Sequence, residues 1–393
     1  MLRPALPPPL TAAAGPLSQA RVDVVSGGRT VVIVSASIGA GHDGAARELG
    51  RRLSRRGFAV RQFDFLDLMP AKIGPLVRAG YAGQLRAIPN SWGWLLRGLQ
   101  APRSMGAVVA LANTAASRLL AAVGPDAAAV VSTYPMVGHV LTRLRRDGRL
   151  SVPTVAYLTD PWVHPLAVAS GVDVHLAPSE ASAVQARGYG AAVTAVVQPV
   201  VGPAFRPAAV PGGRVAARRR FGLSIDGPVA VVVAGSWGVG DIRRTVRDIA
   251  SSGQATPVTV CGRNRVLQRR LQGDGQGVTL GWVDDMPALL RAADVVVHNA
   301  GGLSCLEAMA CGVPVISYRC LPGHGMANAA VLEAAGTAAW PRTGDALRTA
   351  LIAALADHRP PAADETATDA ADVIARHATG GVLGAGRLLV GQP

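Results

Sequence analysis

The sequence predicts an α/β protein made of two Rossmann-like halves joined by a linker. Short β-branched runs alternate with stretches of helical spacing from residue 30 onward, the pattern of parallel strands with helices on both faces. The pattern then restarts after a Pro- and Gly-rich stretch around 202–213. The length, 393 residues, exceeds what one hydrophobic core supports and suits two, and 49% hydrophobic against 16% charged residues provides for both.

Residues 1–28 are rich in Pro and Ala and lack the basic start and unbroken apolar run of a signal peptide, so they are read as a disordered leader. The N-terminal half, 29–201, opens with a strand over 31–35. A glycine turn, Gly39-Ala40-Gly41-His42, follows it, then a helix carrying Ala45, Ala46, Leu49 and Leu53 that ends at Gly57. Further strands are expected over 58–66, 128–132, 154–158 and 172–176. Residues 202–228, with Gly202-Pro203, Arg206-Pro207 and Pro211-Gly212-Gly213, read as a linker. The C-terminal half, 229–358, starts with a strand that runs into the turn Gly235-Ser236, and has later strands over 257–261, 278–280, 295–297 and 313–317. The Ala-rich tail, 359–393, holds one expected helix over 364–377 that packs back on either half.

The net charge is +14, yet Lys72 is the only lysine and its neighbours form no P-loop. The arginines come mostly in scattered pairs, as on solvated helix faces, and no nucleic-acid motif with interleaved aromatics accompanies them. Attraction to an anionic membrane is the second reading of the charge. Cys261, Cys305, Cys311 and Cys320 lack CxxC spacing and read as buried thiols in a reducing compartment. No window of ~20 apolar residues is free of charge; the nearest, 105–124, contains Asn113 and Arg118.

Two glycine centres carry chemistry. Gly39 to Gly44 matches G-x-G-x-x-G between a strand and a helix, with Asp64 at the end of the second strand, as in dinucleotide sites. His42 stands in that turn, where the positive end of a helix favours its neutral form and suits it to accept a proton. A plain capping histidine fits equally well. In the second centre, a strand leads through Gly301-Gly302 into a helix with Ser304 and with Glu307 on its expected first turn. Backbone N–H groups and the helix dipole there make an anion site, and the Glu307 carboxylate either reaches sugar hydroxyls or merely complements the dipole.

These residues carry a resemblance. Gly281-Trp282-Val283-Asp284-Asp285-Met286-Pro287, Ala300 to Ala308, Gly312-Val313-Pro314, and Pro322-Gly323 with Asn328 resemble the donor domain of the GT-B glycosyltransferases. In particular they resemble the monogalactosyl- and glucosyl-diacylglycerol synthases (glycosyltransferase family 28) and, more distantly, the N-acetylglucosaminyltransferase that forms lipid II. The Gly-Ala-Gly-His turn, Ser132 to Pro135, Asp160 to Pro165 and Pro199 to Phe205 extend the likeness over roughly 30–340.

The resemblance implies a UDP-sugar bound against the C-terminal half. Gly235, Ser236 and Trp237 would line the phosphates or the cleft floor, and Arg263 and Asn264 with the stretch from Val283 to Met286 would frame the base. Gly302, Leu303 and Ser304 would hold the diphosphate, Glu307 the ribose, and His324 and Asn328 would lie near the transferred sugar. His42 matches the histidine proposed as base in this family, with Gly39, Gly41, Tyr134, Asp160 and Trp162 around the acceptor. Where the lipid synthases have Gln-Glu after Pro-Gly, this chain has His324-Gly325, and Ser37 stands where some relatives have an Asp, which makes Asp160 a candidate helper to His42.

The chain has no Asp-x-Asp and no His-x-x-x-His, so the expected reaction is metal-independent, without cofactor, and inverting, with a helix N-terminus stabilising the departing diphosphate. Residues 70–103 interleave basic residues with Tyr81, Trp92, Trp94 and several leucines, which suits a membrane interface. Trp at helical spacing also suits a core. The expected protein is a hexosyltransferase with a diacylglycerol-like acceptor, peripheral on the cytoplasmic face of the plasma membrane, with no nucleic-acid partner. An NAD(P)-dependent oxidoreductase explains the first glycine centre alone, a non-lipid acceptor remains open, and a non-catalytic basic protein explains only the charge.

Overall fold

The computed structural model describes residues 22–23, 28–70, 72–87, 102–208, 212–356, 367–380 and 388–390. Their strands form two sheets. The first contains β1 (Val22–Asp23), β2 (Thr30–Ser35), β3 (Ala59–Asp64), β4 (Ala127–Ser132), β5 (Thr154–Tyr157), β6 (Val174–Ala177) and β7 (Val193–Val196). The second contains β8 (Val229–Val233), β9 (Thr256–Val260), β10 (Val278–Leu280), β11 (Val295–His298) and β12 (Val315–Ser317). A last strand, β13 (Leu388–Val390), returns to the first sheet. The orders are β1-β3-β2-β4-β5-β6-β7-β13 and β10-β9-β8-β11-β12. Pairing is parallel throughout except where β1 and β13 close the two edges of the larger sheet.

Helices cover both faces. The first domain has α1 (Ala40–Ser54), α2 (Phe65–Leu68), α3 (Ile73–Ala87), α4 (Pro102–Ala112), α5 (Ala116–Val123), α6 (Pro135–Arg146) and α7 (Glu180–Gly188). The second has α8 (Gly213–Arg220), α9 (Ile242–Ser252), α10 (Arg265–Asp274), α11 (Met286–Ala292), α12 (Leu303–Ala310), α13 (His324–Ala334) and α14 (Gly344–Ala356), and α15 (Ala370–Thr379) follows. Successive side chains of a strand point to opposite faces, so β2 feeds two cores. Val31 and Ile33 pack with Leu49 and Leu53 of α1, while Val32 and Val34 pack with Leu119 and Leu141. In the second domain Val231 joins Leu289 on one face and Val232 joins Ile249 and Leu351 on the other.

Several expected boundaries move. Val22–Asp23, within the expected leader, pair with β3, because the edge of β3 offers free backbone groups. The second strand stops at Asp64, whose carboxylate accepts the Leu66 N–H and caps α2 in place of two more strand residues. The expected linker contains α8, which packs on α11, and Arg218 of its arginine run is 4% exposed, not solvated. Arg218 pairs with Asp294 and donates to the Ala292, Ile225 and Gly227 carbonyls. Strand β7 went unexpected, since its four residues carry little periodicity. The tail helix begins at Ala370, where Asp369 accepts the Ala371 N–H, and it joins the N-terminal domain. Ala370, Ala371, Val373, Ile374 and Ala378 complete the core beside Leu49 and Leu53, and Asp369 and Asp372 pair with Arg52 and Arg56 of α1.

The carboxyl ends of the parallel strands in both sheets point toward one another, the usual place for ligands in such sheets. The loop after β5 touches α13: the Trp162 N–H donates to Asn328 Oδ1 at 2.8 Å. Alongside, α1 packs against α12, where a Cβ on Gly44 would lie 2.5 Å from the Leu303 side chain.

Candidate active site

Two cavities open between and beside the domains. The larger, ≈ 580 Å³, lies in the interdomain cleft against the turns that follow β8, β10 and β11. The smaller, ≈ 260 Å³, is cut into the N-terminal domain and walled largely by apolar residues, among them Tyr134, Met136, Trp162 and Leu166. Ile38, His42, Thr159, Asp160 and His324 line both. The two cavities therefore meet at two histidines and a carboxylate.

The wall of the cleft contributed by the C-terminal half is built by backbone geometry. Gly301 has φ +73° and Gly302 φ +95°, ψ −145°, a conformation that side chains strain, and a Cβ on Gly302 would stand 2.5 Å from Asp160 Oδ1. No side chain caps the N-terminus of α12, so its first N–H groups face the cleft beside Leu303 and Ser304. His298, 3% exposed at the end of β11, braces this turn. Its Nδ1 accepts the Gly301 N–H at 2.8 Å, so its proton sits on Nε2, 2.9 Å from both Ser317 Oγ and Cys305 Sγ. Burial pushes its pKa to about 4 and keeps it neutral. Glu307 falls on the second turn of α12, not the first, and lines the cleft. Burial pushes its carboxyl up to about 7, against the pull of Arg47 across the cleft.

His42 sits in the first turn of α1. Its Nδ1 lies 2.6 Å from the Thr133 carbonyl oxygen. A carbonyl can only accept, so Nδ1 carries the proton and Nε2 of the neutral ring has a free lone pair. Burial lowers the His42 pKa below its ordinary value; Asp160 and the Thr133 bond oppose that shift and His324 adds to it. A neutral imidazole in this state is a proton acceptor at pH 7.

Asp160 Oδ1 lies 3.3 Å from His324 Nε2 at the start of α13. Burial works against ionisation of both groups, but their pairing prevails: the Asp160 pKa falls below and the His324 pKa rises above its ordinary value. The two histidines at the junction are thus pushed in opposite directions, His42 toward neutral and His324 toward charged.

Most residues singled out from the sequence come together here. Gly39, Gly41, Gly235, Ser236, Trp237, Val283, Met286, Gly302, Leu303, Ser304 and Glu307 line the cleft, with His42, Asp160 and His324 at the junction and Tyr134 and Trp162 in the apolar cavity. Others stand apart. Asn264 caps α10 and donates to the Gly238 carbonyl, and Arg263 lies over the Trp282 ring at 4.2 Å; neither lines the cleft, while Trp282 does. Asn328, fully buried, is spent on the Trp162 N–H, the Ala300 carbonyl and contact with His324, so it does not face a sugar. Trp92 and Trp94 lie outside the described residues. Asp64, the acid of the dinucleotide reading, is held by the Ser37 and Leu66 N–H groups and by Arg78. The third glycine of that motif, Gly44, serves the contact with Leu303. Thr133 and Trp282 stand within the quoted motifs but were given no role in the site, and sequence reasoning missed Thr159 and Arg47 altogether, because nothing in the spacing of a threonine or a lone arginine marks it. Among the described residues no three His, Cys, Asp or Glu side chains converge to hold a metal ion.

Comparison with known proteins agrees with this architecture. Residues 232–360 match the family model for glycosyl transferases group 1. The chain is 30% identical over 219 residues to the processive diacylglycerol beta-glucosyltransferase of Bacillus subtilis (strain 168), spanning 53% of this chain and 56% of that protein. The chain thus spans little more than half the length of that relative. Among solved structures, MurG of Acinetobacter baumannii superposes with a TM-score of 0.51 at 16% identity, over 84% of this chain and 91% of that one. Anabaena Alr3699/HepE in complex with UDP gives 0.51 at 16% identity, over 89% and 94%. The fold is that of the GT-B glycosyltransferases, two Rossmann-like domains about a cleft.

Proposed function

We propose that the chain transfers a hexosyl group from a UDP-sugar to a hydroxyl of a diacylglycerol-like lipid, with inversion and without a metal. The observation that carries this reading is the meeting at His42 of two cavities, the cleft that receives the uncapped N-terminus of α12 and the smaller cavity of the N-terminal domain. The donor lies in the cleft, its diphosphate at the N-terminus of α12 and its ribose at Glu307. The acceptor hydroxyl reaches His42 from the smaller cavity. His42 Nε2 takes the hydroxyl proton as the oxygen bonds to the anomeric carbon. The bond from that carbon to the diphosphate breaks, and its electron pair leaves with UDP. The first N–H groups of α12 offset the developing negative charge, beside His324, whose pairing with Asp160 favours its protonated form.

A lipid acceptor is supported by the apolar lining of the smaller cavity and by the helices beside it. Val108 of α4 lines that cavity, and the helical stretch Arg103–Val123 is long and apolar enough, by length and composition, to cross a bilayer, with only 28% of its most apolar window buried. Leu111 on α4 and Leu76 on α3 are exposed. The +14 charge adds attraction to anionic headgroups, and we read the protein as peripheral on the cytoplasmic face of the membrane, with no nucleic-acid partner. The similarity to a diacylglycerol glucosyltransferase points the same way.

The test combines binding and turnover. UDP should raise the melting temperature where NAD(H) and NADP(H) do not, and UDP-glucose or UDP-galactose with diacylglycerol vesicles should yield a glycolipid by mass spectrometry. Protection by a nicotinamide nucleotide but not by UDP would reverse the assignment.

A further inference from the structure

In the proposed function the cleft receives a negatively charged diphosphate, yet the C-terminal wall supplies almost no positive charge to meet it. Backbone N–H groups of α12, Ser236, Ser304 and the neutral ring of His298 line that wall, together with the acids Asp284 and Glu307. His324 is engaged with Asp160. The guanidinium groups that line the cleft, those of Arg47 and Arg51, both come from α1 of the opposite domain.

Their surroundings tell the two arginines apart. Glu48 pairs with Arg51 and with Arg52 at 2.9 Å each, and Asp369 and Asp372 pair with Arg56. Asp43, one turn before Arg47, is turned to the Ser35 and Ser37 hydroxyls at 2.8 and 2.9 Å. Arg47 is exposed to the cleft, and among the described residues no carboxylate comes within ion-pair distance of it. It favours ionisation of Glu307 from across the cleft without pairing with it. The helices α1 and α12 touch where the missing side chain of Gly44 admits Leu303. Arg47 follows Gly44 on one face of α1, and Glu307 follows Leu303 on one face of α12, each about one turn, or ~5 Å, along its axis. The N–H groups at Leu303 and Ser304 therefore lie within the span of an arginine side chain.

We propose that Arg47 is a donor-binding residue supplied by the N-terminal domain: its guanidinium pairs with the diphosphate that the N-terminus of α12 holds from the other side. This rests on the reading that places a nucleotide diphosphate at α12. A guanidinium presents its N–H donors in a planar fork that matches phosphate oxygens, and it stays charged at any working pH. The nucleoside is then held by the C-terminal domain alone, and the phosphates by both domains. Arg55 provides the contrast, since it is exposed at the far end of α1, meets no carboxylate among the described residues and does not line the cleft.

The experiment titrates Arg47→Gln, Arg47→Lys and Arg55→Gln of the full chain calorimetrically with UDP, uridine and inorganic pyrophosphate. Arg47→Gln should weaken UDP and pyrophosphate about 10–100-fold and uridine less than about twofold, as the loss of a charged hydrogen bond to phosphate requires. Arg47→Lys keeps the charge without the fork and should fall between Arg47→Gln and the parent. Arg55→Gln removes the same unit of charge from the same helix and should bind all three probes like the parent. Parental affinity for UDP and pyrophosphate in Arg47→Gln would overturn the inference. An equal loss for uridine would overturn it too, because Arg47 would then serve the nucleoside, and an equal loss in Arg55→Gln would reduce the effect to net charge. Pyrophosphate reads the anion site without the base. A parent that binds pyrophosphate but not UDP therefore fails the proposed function, while Arg47→Gln against pyrophosphate still decides the role of Arg47; a parent that binds neither overturns both.

Discussion

Replacing Glu307 by Gln should stabilise the protein at alkaline pH while weakening its hold on nucleotide. The carboxyl is displaced by burial from an ordinary 4.5 to about 7, with Arg47 resisting. A group whose pKa rises on folding favours the folded state most when protonated, below its unfolded pKa. That advantage is lost as pH climbs through about 7, where the buried carboxyl must ionise. The displacement corresponds to about 3 kcal/mol as an upper limit. Gln imitates the protonated form, so parent and variant should melt alike near pH 4.5 and diverge above pH ~8, by on the order of 5–10 °C at the full value. Differential scanning fluorimetry across that range, with urea unfolding at the two ends, reads the effect directly. At the same time, loss of a charged hydrogen bond to ribose should weaken UDP by about 1.5–3 kcal/mol in calorimetry. A gain equal at both ends of the pH range, or a loss at the alkaline end, would show that the carboxyl is not strained by burial. The reading of Glu307 as a carboxyl buried in the cleft would then be wrong.

His42→Ala should lower turnover ~10²–10⁴-fold while UDP affinity barely changes, and the parent's kcat should fall on the acid side as the ring protonates. Weaker UDP binding with full turnover at saturation would move the nucleotide to the glycine loop. Gly302→Ala should cost about 1–3 kcal/mol of stability and weaken UDP, because it combines a glycine-only backbone conformation with a clash against Asp160; a variant melting like the parent would contradict the geometry of that turn. His298→Leu should leave the Gly301 N–H unpaired, costing about 1–3 kcal/mol and loosening the diphosphate turn, seen as a lower melting temperature with a raised donor KM. Transfer should survive EDTA, and loss on chelation with recovery on adding magnesium or manganese would replace the helix terminus by a metal in the mechanism.

The order of strands and turns was legible because it is local. A run such as Val31 to Val34 is buried on both faces wherever it lies in a parallel sheet, and the glycine turns that follow such runs announce ligand loops. The second glycine turn was legible for the same reason, since Gly301 to Glu307 are contiguous and lie on one strand end and one helix. The linker was misread because an arginine run looks solvated on paper. In the fold, Arg218 finds Asp294 and three carbonyls more than five residues away, and those partners offset its burial.

The sequence by itself determined two parallel α/β halves, the two glycine centres and His42 as the residue to suspect. Local spacing suffices for that, because strand burial, helix caps and glycine turns depend on neighbours a few residues apart. Only the tertiary structure decided that Asn328 and Asp64 are structural, that the tail completes the N-terminal core, and that His42 faces Thr133, Thr159 and Asp160. Those facts belong to residues between 91 and 118 positions apart for His42, and farther still for the tail. Their energies are contact energies across loops and between domains, and nothing in the chain's periodicity encodes which side chain another will meet once both sheets have formed.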